Sequence, residues 1–335
     1  MLTTLTLPAA PSLEALRTRR IRVRSADELR RALREARDRP LALDASALDC
    51  VLRTDDERSL LEVQGAMTWR ALAVHLGAAG ERLSAWAGCG GVPASVGQAI
   101  SADAAGPDGA PLSACVESIA LVTVDGELRR VDRNTPARLF HLVVGGQGVF
   151  GLIYSVTLRI DALLQATEHA VPAIELELPG PELGSGIEVQ SLLPPDQVEG
   201  FLADARELAA ERRLALRRIA VRPLQAGAES ALGWAKRAWA SVTLHLQLRA
   251  TLGASVHAAE IRRLVHAAAI ARGGSFPVSA APEVSRAQLD ACYPELPAFL
   301  AEKRRYDPAE RLQNAWYRCV TAQLRHQACE SRWGN

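Results

Sequence analysis

Between Ile187 and Val278 the hydrophobic pattern of the chain switches repeatedly between a period of two and a period of 3.6, and that order restricts the fold more than any other feature. Ile187 to Leu193 reads as a strand and Pro195 to Arg212 as an amphipathic helix. Leu214 to Val221 and Val242 to Leu248 read as two further strands, and Val256 to Ala271 as a second helix closed by Gly273-Gly274. Phe276 to Val278 then reads as a last strand. This β-α-β-β-α-β order is that of a ferredoxin-like unit.

The sequence before residue 162 has a different texture. Ile21 to Val23 predicts a short strand, and Ser25, with Glu28 three positions on, predicts a capped helix carrying Leu29, Leu33 and Ala36 on one face. Leu41 to Leu43 and Ser59 to Val63 predict two more strands, and Thr68 opens a helix that Gly77 and Gly80 stop. Ile119 to Val124 and Glu127 to Val131 alternate around Asp125-Gly126, a hairpin signal. A short helix around Leu139 and a strand from Leu152 to Ile160 follow. With 335 residues, too many for one ordinary core, the expectation is an α+β protein of two domains.

Charge and composition exclude several partners. The formal net charge is +1 with no basic run, so neither a nucleic acid nor an anionic membrane surface is expected. No apolar run approaches the roughly 20 residues of a membrane span, and Met1 to Pro11 lacks the pattern of a secretory leader. The expected location is cytoplasmic. Six cysteines without a C-x-x-C pair predict reduced thiols and no metal site, with Cys89 a small filler between glycines.

Two glycine-rich segments carry the candidate chemistry: Gly88 to Gly97 and Gly145 to Gly151. Where side chains are small, backbone N–H groups can approach an anion or a flat ring. Neither segment has the G-x-G-x-x-G order of a dinucleotide-binding fingerprint, and no P-loop sequence is present. Each alone is as well explained by a structural turn.

Their setting is more specific. Gly65-Ala66-Met67-Thr68-Trp69-Arg70 precedes the first segment, and Ser95 to Asp103, Val116-Glu117-Ser118-Ile119 and the Asp-Gly hairpin follow it. Phe140, the Gly-Gly-Gln-Gly turn and Gly151 to Leu158 come next. This series resembles the FAD-binding domain of the vanillyl-alcohol-oxidase, or p-cresol-methylhydroxylase, family of FAD-linked oxidoreductases. The tail, Tyr293-Pro294 through Lys303 to Pro308 and Arg311 to Arg318, resembles that family's C-terminus. The resemblance spans about residues 20 to 161 and 273 to 319, nearest to sugar, alditol and aldonolactone oxidases and decaprenylphosphoryl-ribose oxidase.

The resemblance implies a two-domain FAD-binding fold of the p-cresol-methylhydroxylase type. Residues 20–161 would be the FAD-binding domain and 162–280 a ferredoxin-like substrate or cap domain, with 281–319 returning to the first. It implies FAD as cofactor, held by Gly90, Ser95, Val96, Gly97 and Ser101 at the pyrophosphate and ring, with Gly151, Leu152 and Ile153 along the adenine or isoalloxazine side. The implied activity is oxidation of a CH–OH group of a small sugar, polyol or lactone, with the electron acceptor left open.

Three departures bear on that activity. Arg39 to Asp49 runs without the glycine-rich loop that holds the pyrophosphate in relatives, and no histidine or cysteine stands where relatives attach the flavin, which predicts non-covalent, easily lost FAD. Alanine follows Ala102-Asp103 where a histidine is usual, and Gln98 replaces a glycine. Phe276 to Ala281 carries no ionisable side chain where a lysine or histidine is usual. What remains is a polar strand face: Thr243, His245, Gln247 and Arg249 point opposite to Val242, Leu244, Leu246 and Leu248, and Glu188 and Gln190 share a face of their strand. His245 is the candidate general base, and the resemblance implies that Gln190 is a polar catalytic-site residue lying over the flavin. The same pattern describes the solvent face of a half-buried sheet, and the rival function is a non-catalytic relative acting as a partner or assembly subunit.

Overall fold

The computed structural model describes residues 19–35, 41–83, 85–86, 93–135, 137–179, 184–227, 229–249 and 253–333. The protein is a mixed α+β chain whose contacts divide it into two units. The first comprises residues up to 170, residues 228–233 and residues 295–322; the second holds 171–227, 234–294 and the residues from 323 onward.

In the first unit, β1 (Arg19–Arg22) and β2 (Leu41–Asp44) pair in parallel, joined by the helix Ala26–Glu35. Ser25 Oγ accepts the Glu28 N–H at 3.2 Å, satisfying one of the donors that a helix start leaves open. Leu29, Ala32 and Leu33 bury against Val23, Leu43, Leu48, Val122 and Leu312. Beside this lies an antiparallel sheet ordered β3-β4-β7-β5-β6, formed by Val51–Asp55, Leu60–Gln64, Leu152–Arg159, Val116–Val122 and Leu128–Asp132 respectively. Leu61, Val63, Ile119, Val156 and Leu158 are fully buried on one face, while Glu62, Ser118 and Thr157 form a polar row on the other. The hairpin turns at Asp125-Gly126, Gly126 having φ 77°. Ser59, expected to begin β4, has φ 52° and stands outside the strand. β3 has no counterpart in the sequence reading, because Leu52, Arg53 and Thr54 are all exposed on an edge strand and show no apolar alternation.

The helices Trp69–His75 and Ala78–Arg82 meet at a glycine. A Cβ on Gly80 would lie 1.7 Å from the Ala73 carbonyl oxygen, whereas the atoms nearest a Cβ on Gly200 belong to the guanidinium of Arg272, the movable end of a long side chain. Gly80→Ala is therefore expected to destabilise the protein by about 1–3 kcal/mol through overpacking, with Gly200→Ala close to neutral. Urea denaturation of both variants checks the pair, and equal midpoints would contradict it.

In the second unit an antiparallel sheet runs β8-β10-β11-β9, from Ile174–Glu177, Ala215–Leu224, Trp239–Arg249 and Gly184–Leu193. Helices Val198–Glu211 and Ala254–Ala271 pack Phe201, Ala205, Ile261 and Val265 onto the apolar face made by Ile187, Val189, Leu244 and Leu246. β9 and β10 flank β11, so the chain follows the expected strand-helix-strand-strand-helix course through these elements. The expected last strand at Phe276 to Val278 does not form. Pairing is reduced to a bridge between Ser275 and Leu192, and a 3-10 turn spans Val278–Glu283. Pro277 lacks a ladder donor, and the Phe276 carbonyl accepts the Tyr293 hydroxyl instead. The outer position on the other edge of the sheet belongs to β8, an exposed strand the sequence reading lacked.

That same Tyr293 contact keeps residues up to 294 with the second unit, so the segment grouped with the first begins at 295 rather than at 281. Residues 162–170 also group with the first unit, as the end of helix Ile160–Glu168, instead of opening the second. In the return segment, Phe150 sits edge-on to Phe299 and Tyr306, and Arg311 donates to the carbonyls of Val124 and Leu33 at 2.9 and 2.8 Å. Among the described residues no helix is long and apolar enough to cross a membrane.

Candidate functional site

The two glycine-rich segments meet in the first unit. Gln64 ends β4, and the backbone then turns so that Gly65 and Met67 offer their carbonyls to the N–H groups of Gly97 and Val96, each at 2.9 Å. These bonds seat the helix Val96–Ala102. The approach is so close at Gly97 that a Cβ would stand 2.7 Å from the Gly65 oxygen. The second segment docks on the other end of the helix, where Gly145 and Gln147 donate to the carbonyls of Ile100 and Ser101 at 3.0 and 2.9 Å. Asn314 of the return segment donates to the Gln147 carbonyl at 2.6 Å and fixes that turn.

A cavity of about 240 Å³ opens at this junction. Of the residues singled out by resemblance, Ser95, Gly97, Ser101, Gly151, Leu152 and Ile153 all line it. Val96 does not; its side chain is fully buried in the core. Gly90 lies outside the described residues, as does Cys89. Gly148 opens onto the cavity with φ 72° and free space where a Cβ would stand.

Polar groups on the lining set what the cavity can bind. Ser101 Oγ already donates to the Gly97 carbonyl at 2.9 Å, and Thr68 Oγ1 accepts the Ala71 N–H at 3.1 Å. The Gln98 side-chain oxygen is buried on the wall with no hydrogen-bond partner. Ser46 and Asp49 close the side where β2 ends, Asp49 being exposed. Among the described residues the lining carries no Arg, Lys or His. Ser46, Asp49 and Thr68 had not been singled out in the sequence, and Gln98 stood out only as a departure from glycine.

Gln190 and His245 belong to the second unit. Gln190 Nε2 donates to Ser241 Oγ at 2.8 Å, across the pair of strands β9 and β11. His245 sits in a row that crosses all four strands: Glu177, Arg218, His245, Glu188. Arg218 Nη2 stands 2.9 Å from His245 Nε2, and His245 Nδ1 lies 3.6 Å from a Glu188 carboxylate oxygen. A guanidinium only donates, so Nε2 is the acceptor and the neutral ring carries its proton on Nδ1, toward Glu188. Nε2 is thus taken by Arg218, so His245 is no free base as it stands, and Glu188 stands just beyond hydrogen-bond reach of Nδ1. Arg218, absent from the sequence reading, is the residue that holds it; cross-strand register, invisible in the sequence, brings them together.

Among the described residues no cluster of three or more His, Cys, Asp or Glu side chains is placed to hold a metal. Cys50, Cys115, Cys292 and Cys319 are free thiols, and burial pushes Cys115 up to about 12. No protein-family model matches the chain, and no curated protein sequence matches it.

Proposed function

We propose that the protein is an FAD-linked oxidoreductase of the p-cresol-methylhydroxylase type, acting on a CH–OH group of a small sugar, polyol or lactone. What supports the reading is that six residues scattered from Ser95 to Ile153, selected by resemblance alone, line one cavity. FAD, when bound, would supply the acceptor for a hydride from the CH–OH carbon. The protein's part is to bind and orient. Ser95 and Gln98 would hold the ring, and the packed glycines keep the walls thin enough to admit it. The lining suits a flat, uncharged ring with hydrogen-bonding edges. Among the described residues it suits a diphosphate poorly, since the Val96 and Gly97 N–H groups are already bonded and Asp49 stands at the rim. The volume is also below the roughly 300–1,000 Å³ of ordinary small-molecule sites, enough for part of a dinucleotide only. His245 is no free base while Arg218 holds its Nε2.

Those same observations favour a second reading, a non-catalytic relative that has lost tight FAD binding and serves as a partner or assembly subunit. One experiment separates the two. The purified protein is expected to carry little flavin, to quench the fluorescence of added FAD as it takes it up, and to release it completely on acid precipitation. Protein that takes up no FAD even at high concentration would transfer the conclusion to the second reading. Flavin remaining with the acid precipitate would contradict non-covalent attachment.

A further inference from the structure

We infer that the open edge of the second unit's sheet takes up an extended partner segment in which apolar and basic residues alternate. The inference is independent of the flavin reading. β8 is an outer strand, paired with β10 alone among the described residues, and its four side chains are all exposed. Ile174 is 74% and Leu176 46% exposed, an apolar pair on the kind of edge that a protein usually covers or blunts. Opposite them on β10 stand Val221 and Ile219, which pack into the core under the two long helices. Ile174 and Leu176 therefore prolong the apolar face of the sheet beyond the part that the helices cover.

The backbone is set to receive a strand. Leu178 donates to the Arg217 carbonyl at 2.8 Å, and the hydrogen-bonding side alternates from residue to residue along an antiparallel pair. Glu175 and Glu177 thus turn their N–H and C=O groups to the open edge. Their side chains stand on the face opposite to Ile174 and Leu176, and Arg218, 3.5 Å from Glu175, offsets part of that charge. Residues directly opposite one another on paired strands share a face. An incoming segment therefore meets Leu176 between two carboxylates, and its matching pattern is basic, apolar, basic. The same rule argues against a second copy as the occupant. Antiparallel pairing of two β8 strands over three residues sets Glu175 against Glu175 or against Glu177, and like charges directly opposite destabilise a ladder. The acids thus select the partner that the edge admits.

The test is binding of two short synthetic peptides to the full-length protein, one alternating valine with lysine and the other valine with glutamate, read by fluorescence anisotropy. At low salt the lysine peptide is expected to bind about tenfold or more tighter, and about 1 M salt should remove most of the difference. Hydrogen exchange should show the lysine peptide protecting residues 174–177. Reversing both charges, with Glu175→Lys and Glu177→Lys together, should reverse the preference. Glu177→Pro removes an edge N–H without breaking the ladder to β10. It should weaken the lysine peptide about fivefold more than Glu177→Gln, which removes the charge alone. Circular dichroism reports that each variant keeps its fold. Equal affinity of the wild type for the two peptides, or binding of neither, would overturn the inference. Equal effects of Glu177→Pro and Glu177→Gln would show adhesion by charge in place of strand addition and overturn it as well. A wild-type protein that dimerises at micromolar concentration with residues 174–177 protected would give the edge to a second copy, against the inference.

Discussion

Lys303→Ala is expected to destabilise the first unit by about 3–5 kcal/mol, the usual effect of breaking a buried ion pair from one side. Lys303 is 0% exposed and Asp307, one helical turn on, is 2% exposed. Burial lowers the Lys303 pKa, and the Asp307 carboxylate opposes that shift. Asp307 also accepts the N–H groups of Arg311 and Leu312, at 3.0 and 2.8 Å, and so shapes the turn after the helix Leu296–Tyr306. Without the ammonium, a charge stays buried with only two amide donors. The turn positions Arg311 on the carbonyls of Val124 and Leu33 and leads to Asn314, which holds the Gly145–Gly148 turn beside the cavity. Loss of the pair should therefore loosen the cavity as well as the core. Arg305→Ala, on the same helix but exposed, should change stability by less than about 0.5 kcal/mol. Urea denaturation of both variants measures the contrast. A Lys303→Ala cost below about 1 kcal/mol would show that the pair does not hold the segment.

Asp103→Asn is expected to stabilise the protein at pH 7.5 and to leave it nearly unchanged at pH 4. Burial pushes the Asp103 carboxyl up from 3.8 to about 6, and the nearby negative charge of Glu229 adds to the rise. Between these two values the unfolded chain has released its proton while the folded protein retains it. Stability attributable to Asp103 therefore falls as pH rises through this window and stays lower above pH 6. A rise of about two units corresponds to at most about 3 kcal/mol. Asparagine fits the position on two further counts. Its side-chain oxygen can still accept the Ser113 N–H, now 3.3 Å from Asp103 Oδ1. It also tolerates the left-handed backbone there, φ 45°. Denaturation curves from pH 4 to 8 should show the wild type losing stability across the window while the variant runs flatter. A variant no more stable than wild type at pH 7.5 would mean that Asp103 remains comfortably ionised.

The strands and helices with a regular apolar period were legible in the sequence. The β5–β6 hairpin, the helix capped by Ser25 and the two long helices of the second unit all follow from local spacing, because burial of one face imposes that spacing. β3 and β8 were not legible, since edge strands exposed on most positions leave no periodic record. Phe276 to Val278 looked like a strand by composition, but a proline and the Tyr293 hydroxyl took its backbone out of the ladder.

For the candidate site, the sequence by itself determined which residues are small and which glycines punctuate the chain. Gly97 and Gly151 were singled out by the resemblance that the order of motifs along the chain carries, without knowledge of their neighbours in space. Only the tertiary structure decided what those residues do. It spent the Val96 and Gly97 N–H groups on Met67 and Gly65, left the Gln98 oxygen without a partner, and set Arg218 on His245 Nε2. Each of these depends on a carbonyl, a strand register or an ion that is distant in the chain, and hydrogen bonds are satisfied by whatever lies within about 3 Å in space, whatever the separation in sequence.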